Sequence, residues 1–470
     1  MLLVLCSALF LDAMDVSMVG VALPSIRTDL GMSTSSLQWV VSAYVLGYGG
    51  FLLLGGRAAD LFGRRRMFLI SLGVFVFASA LGGFANDGSL LIATRFVKGV
   101  SAAFTAPAGL SIITTSFAQG AARNKAISIY TATGATGFSL GLVFGGLLTE
   151  IGWRWAFFLP APIALATLLA ATRLVPADAA VARVRRSFDV IGAVTLTAAM
   201  LLLVFTVVEA PRVGWGSART LGSFAAVAVL LAAFAAVERR VAVPLVRLGI
   251  LRSATLVQAN LGAMMLIGGW FGFQFIATLY MQQLRGWSPL ETGLAIFPAG
   301  VLVAFLAPRI APLVMRFGIR SLIVAGLAST SLGYLLFLRI GLDSGYLAVM
   351  LPTFLLAGFG FALGYGPLNI AATNGIAPSE QGLASGLVNT SFQFGGALVL
   401  AVTTAVNSAA TGADGSPQAL LDGFQAAVAV SVVAAGIGVV ATAIRVRPRP
   451  ALVEAPDVDL AEAEVEAEAA

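Results

Sequence analysis

Two carboxylates, Asp12 and Asp15, sit three residues apart inside the first apolar stretch of this 470-residue chain. On a helix that spacing puts both on one face, and a charge at the centre of a hydrocarbon layer costs at least about 2.5 to 3.5 kcal/mol. The chemistry open to such a pair is the binding and release of a proton or a cation, helped by burial and by like charge beside like charge. Asp15 and then Asp12 are the expected proton-coupling residues. The structural alternative is a permanent ion pair with a buried Arg that only holds helices together. Arg95 and Lys98 sit three residues apart in the fourth apolar stretch, and a structural ion pair is the plain reading of Arg95. Lys98 is also long enough to reach outward to headgroups. The chain has no His and a single Cys, Cys6, so the commonest metal ligand, the usual neutral-pH switch and a Cys cluster are all excluded. Neither metal nor cofactor is expected.

These residues are positioned by fourteen stretches of about 20 apolar residues each, the helical length that crosses a bilayer. They run from 3–25 and 37–56 through 383–406 and 423–444. With 59% hydrophobic and 11% charged residues and a mean hydropathy of +0.95, no soluble domain of this length could cover its surface. Backbone groups lack water in lipid, so the spans should be helices. Of the 28 Lys and Arg, nineteen fall in gaps assigned to one side and six to the other, which places both termini in the cytoplasm. The opening MLLVLCSALF reads as a retained first helix and not a signal peptide, because no basic region precedes it and two acids follow. Residues 446–470 are acidic and Ala-rich and read as a disordered cytoplasmic tail. A basic body here suits anionic lipid headgroups better than nucleic acid.

Between the second and third spans, GGRAADLFGRRR carries Gly56, Asp60, Gly63, Arg64 and Arg65. The glycines permit a tight turn, and Asp60 can cap a helix end or pair with an Arg. This string resembles the signature loop of the major facilitator superfamily. Other strings narrow the resemblance to its fourteen-span drug:proton antiporter family. They include Asp15 followed by Ala22, Leu23 and Pro24, with Gly20 in place of a usual Asn, and RFVKG with Arg95 and Gly99, with Lys98 in place of a usual Gln. GFSLGLVFGG adds Gly137, Gly141, Gly145 and Gly146, with Leu142 where the family has Pro, and WRWAFFLPAP has Pro160 for an expected Asn. FDVIG, ERRVAVPLVRL and WSPLETGLAIFPAG extend the match over almost the whole chain. RFGIR, with Gly318 and Arg320, answers LFGRR with Gly63 and Arg65 and gives a weak internal repeat.

The resemblance implies an all-α major facilitator fold with 14 transmembrane helices. It divides into a six-helix bundle at 1–175, a two-helix insert at 176–252, a second six-helix bundle at 253–445 and the tail. It also implies a role for Arg95 in proton exchange. Trp39, Tyr44, Asn260, Gln274, Asn369, Asn389 and Gln393 lie on spans expected to face a central cavity, whose apolar walls suit a lipophilic ligand. Each could equally be a helix-packing hydrogen bond. No phosphate-binding Gly-rich loop is present, which leaves an ion gradient as the energy source. The expected protein is a monomeric, proton-coupled exporter of lipophilic compounds in the bacterial cytoplasmic membrane, not an enzyme, with both aspartates needed for cationic cargo. The alternatives are a dedicated exporter of one natural product or lipid, and a non-transporting sensor or assembly protein.

Overall fold

The computed structural model describes residues 1–117, 121–176, 189–241, 248–376, 380–412 and 416–444. The tail and the segment 177–188, including Phe188 of FDVIG, lie outside the described residues, as does the side chain of Asp60. The long helices are α1 Leu2–Asp29, α2 Thr34–Phe62, α3 Arg64–Gly83, α4 Gly88–Ser116, α5 Ala121–Ile151 and α6 Trp155–Leu174. Then come α7 Val190–Val213, α8 Ala218–Glu238, α9 Ala254–Leu284, α10 Pro289–Phe317, α11 Ile319–Phe337 and α12 Tyr346–Thr373. The chain ends in α13 Gln381–Thr411 and α14 Pro417–Ala443. Twelve stretches of the described residues are long and apolar enough to cross a membrane. No strand occurs among the described residues.

Helix starts follow the short polar residues that precede the apolar runs. Ser33 accepts from the Ser36 amide at 3.1 Å, and Asp87 accepts from the Ser89 and Leu90 amides at 2.9 Å each. Ser288 and Glu291 form a reciprocal capping box at the start of α10. The WRW turn is tied to the end of α1, where Asp29 accepts from Trp153 Nε1 at 2.9 Å and from Arg154 Nη1 at 2.7 Å.

One packing plan occurs twice. In the first half α1 lies on α5, α2 on α4 and α3 on α4 and α6, and in the second half α9 lies on α13, α10 on α12 and α11 on α12 and α14. The halves meet along α2 with α13 and along α5 with α10, two seams that exchange under the same pseudo-symmetry. The turns obey it too. Gly63 and Gly318, at φ 97° and 79°, each join two long helices through a backbone conformation that favours glycine. The following Arg65 donates to the Thr172 carbonyl of α6, and Arg320 donates to the Thr442 carbonyl of α14 at 3.1 Å. The α7–α8 hairpin packs through α7 against α2 and α13, where Thr197 Oγ1 donates to the Gly50 carbonyl at 2.9 Å.

The glycine spacing of α5 sets its contact with α1. A Cβ on Gly141 would stand 2.0 Å from Ser17 Oγ and 2.6 Å from the Met14 carbonyl oxygen, while Gly137 and Gly145 face Phe10 and Met18 in the same way. Small residues let two backbones approach closely in lipid. Gly141→Ala is expected to lower the melting temperature of the detergent-solubilised protein, since overpacking typically costs about 1 to 3 kcal/mol. Gly436→Ala, which meets nothing within 4 Å, should leave the melt unchanged or raise it.

Candidate functional site

Asp15 is fully buried, as is Lys98, and Arg95 retains 1% exposure. Arg95 Nη1 and Lys98 Nζ each donate to one of the two oxygens of Asp15. Three helices bring them together. Gly99 allows α4 to cross α2 at backbone contact, because a Cβ there would stand 2.0 Å from the Tyr44 carbonyl oxygen. Arg95 Nε donates to the Val40 carbonyl at 3.0 Å, and Lys98 Nζ donates to Ser79 Oγ at 3.0 Å, which donates onward to the Phe157 carbonyl at 2.9 Å. Lys98 also lies 4.6 Å from the Phe75 ring centre. The possible outward reach of Lys98 is therefore corrected: the ammonium group turns inward, because a carboxylate, a hydroxyl and aromatic faces offer it more than a path to headgroups.

Asp12 is buried one turn earlier on α1, with 8% exposure. Tyr44 OH donates to its Oδ1 at 2.6 Å, and no ion pair reaches it among the described residues. The Tyr44 ring in turn lies under the Arg95 guanidinium at 4.6 Å. Asp12, Tyr44, Arg95, Asp15 and Lys98 thus form one connected set. With all groups ionised its two acids and two cations cancel, so a proton gained or lost at Asp12 changes the net charge of the whole set. Four ionisable groups buried among helices of membrane-crossing length mark a candidate functional site by default.

The other expected cavity residues separate. Trp39 packs on Phe205 of α7, with ring centres 5.9 Å apart. Asn260 accepts from Ser391 Oγ at 2.6 Å and donates to the Leu256 carbonyl at 2.7 Å, a tie between α9 and α13. Gln393 lies against Gly49 at the seam of α2 and α13, and Gln274 Nε2 faces Gly20 across the halves, 3.2 Å from where a Cβ there would stand. Asn369 and Asn389 are half-buried, and their amides donate back to the Tyr365 and Ser385 carbonyls at 2.9 Å each. Tyr44 belongs to the charged set. In the signature loop, Arg64 and Arg65 are engaged within the fold.

Sequence reasoning passed over Tyr44 as the partner of Asp12, although 32 residues separate them and no local spacing could reveal it. It also passed over two buried acids at helix ends. Asp189 caps α7 through the Gly192 amide at 2.7 Å, and both Asp189 and Glu238 lie against Gly192. Gln38, only 2% exposed, was also missed; its Oε1 has no hydrogen-bond partner among the described residues.

An all-helical chain with a packing plan that occurs twice, and charges buried inside its first half, is a multi-pass membrane transporter of repeat design. The chain belongs to the Major Facilitator Superfamily, whose family model matches residues 5–400. It is similar to the puromycin resistance protein pur8 of Streptomyces alboniger, with 39% identity over 90% of this chain and 85% of that protein. It is also similar to the cephamycin export protein CmcT of Amycolatopsis lactamdurans, with 38% identity over 89% of this chain and 86% of that protein. Among solved structures, a bacterial homolog of the human lysosomal transporter Spinster, inward-facing and occupied, aligns with a TM-score of 0.66 at 18% identity. That alignment covers 96% of this chain and 98% of the other, and supports the fold.

Proposed function

We propose that this chain is a proton-coupled exporter of lipophilic compounds across the bacterial cytoplasmic membrane. It works by alternating access of bundles 1–175 and 253–445 about the insert 176–252, with fourteen spans and both termini cytoplasmic. The two helices outside the twelve apolar stretches, α2 and α7, are 29 and 24 residues long, which supports that count.

The observation that carries the reading is the buried set around Asp15, Asp12 and Arg95. In this scheme Asp15 stays ionised between its two cations, and Asp12, whose side-chain partner among the described residues is a neutral phenol, takes and releases the proton. Contacts between the halves at one end support alternating access: Arg27 Nη1 donates to Gln283 Oε1 and Gln282 Nε2 to the Val21 carbonyl, both at 3.0 Å. Gly146 lies against Leu290 beside them. With the sidedness proposed from the charge count this is the outer end, and in this scheme the state is one closed outward.

One proton moving through about 100 mV yields about 2.3 kcal/mol, enough for roughly a 50-fold gradient of a neutral solute. In everted membrane vesicles energised by respiration, a lipophilic substrate should accumulate in the lumen, and a protonophore should collapse that accumulation. Uptake that persists without a proton gradient would overturn the proposal. A dedicated exporter is the second reading, favoured by relatives that are each named for one antibiotic. Protection of a sensitive strain against a single compound in a drug panel would decide for it.

A further inference from the structure

We infer that the seam between the halves holds a binding site for an uncharged, planar aromatic molecule, built on a row of aromatic side chains. This names a substrate class for the proposed exporter and rests on that reading. Phe138 of α5 and Trp270 of α9 meet across the seam, with ring centres 6.4 Å apart, and Trp270 meets Phe361 of α12 at 6.5 Å. Phe361 and Tyr365, four residues apart on one face of α12, are nearly parallel at 8° with centres 5.4 Å apart. Tyr365 continues the row to Phe392 of α13 at 4.7 Å and 24°.

Flat contact needs only about 3.5 to 4 Å between carbon layers, so rings parallel at 5.4 Å are displaced sideways and leave part of each face uncovered. Tyr365 is 40% exposed although it stacks on both neighbours. Its neighbour Phe392 belongs to α13, the helix that meets α2 of the other half. We assign the open surface of Tyr365 to the space between the halves. Offset stacking on such faces selects flat aromatic ligands over globular ones.

Charge decides the rest. The helices α9, α12 and α13 contain no Asp, Glu, Lys or Arg at all, so a charged ligand on this wall would leave water without a counter-ion. Across the seam Asp15 is already held by two cations, and Asp12, the proton site of the proposed scheme, is neutral whenever it holds its proton. Asn369, one turn beyond Tyr365 on the same face, offers an amide to a carbonyl or hydroxyl on the ligand's rim.

The test is equilibrium binding to the full chain in lipid nanodiscs, with no gradient. The probes are the neutral 1,4-dihydroxyanthraquinone at pH 6 and the flat cation ethidium. The wild type should bind the anthraquinone about tenfold more tightly than ethidium. Tyr365→Ala and Phe361→Ala should each weaken it about tenfold, and Tyr365→Phe should change it less than about twofold. Where an Ala variant fails to fold, Tyr365→Leu keeps bulk without a ring plane and should weaken binding equally. Equal binding of the two probes, or unchanged binding in Tyr365→Ala and Tyr365→Leu, overturns the inference. Because no proton gradient enters this assay, its outcome is independent of whether transport is proton-coupled.

Discussion

Asp12→Asn is expected to abolish proton-driven accumulation in everted vesicles, from roughly 50-fold per 100 mV to no gradient at all, with the fold intact. Asn keeps the shape of Asp and an oxygen that can accept from Tyr44 OH, now at 2.6 Å, so the buried phenol stays satisfied. What disappears is the exchangeable proton. With Arg95 and Lys98 already committed to Asp15, Asp12 is the member of the set whose loss of charge breaks no ion pair. Downhill movement of the same substrate should survive in this variant. If proton-driven accumulation survives as well, the proton is carried elsewhere.

Asp15→Ala should act on stability first. It removes the shared partner of two cations that are buried to 0 and 1% exposure. Breaking one buried pair by deleting a single partner costs about 3 to 5 kcal/mol, because the remaining charge has no compensation. Here two charges are stranded, so the loss should lie at or beyond the top of that range and appear as low yield and a sharply lowered melting temperature. Removing the charges together is different, since replacing a whole buried set by uncharged groups of similar size is often neutral. Asp15→Asn combined with Lys98→Gln leaves one stranded cation and should recover much of the melting temperature, but not transport. A Lys98→Gln variant alone, which keeps the Arg95 pair, should be the mildest of the three. If Asp15→Ala melts like the wild type, the ion set does not hold these helices together.

Much of the architecture was legible because bilayer physics writes it along the chain. Helix length and apolar content are local quantities, and Gly63 and Gly318 mark equivalent turns by type and flanking residues alone. The face formed by Gly137, Gly141 and Gly145 also reads directly from a four-residue spacing. Depth and partner do not. Lys98 could be placed on α4 from the sequence, but whether it pointed to headgroups or to Asp15 depends on how α4 crosses α2 at Gly99. Trp39 looked like a cavity residue because α2 faces a cavity in a six-helix bundle, yet the inserted α7 covers that side and presents Phe205 to it. The aromatic row escaped notice because its five members come from four helices, and only the pair at 361 and 365 shares a local spacing.

The measurement that bears most directly on the account is proton release from the purified protein in weakly buffered solution when a transported compound is added. If cargo and proton compete through Asp12, linkage requires that binding of one lowers the affinity for the other. About one proton per chain should then appear in the wild type and none in Asp12→Asn. No release from a wild-type protein that binds its cargo, or release undiminished by Asp12→Asn, would contradict it.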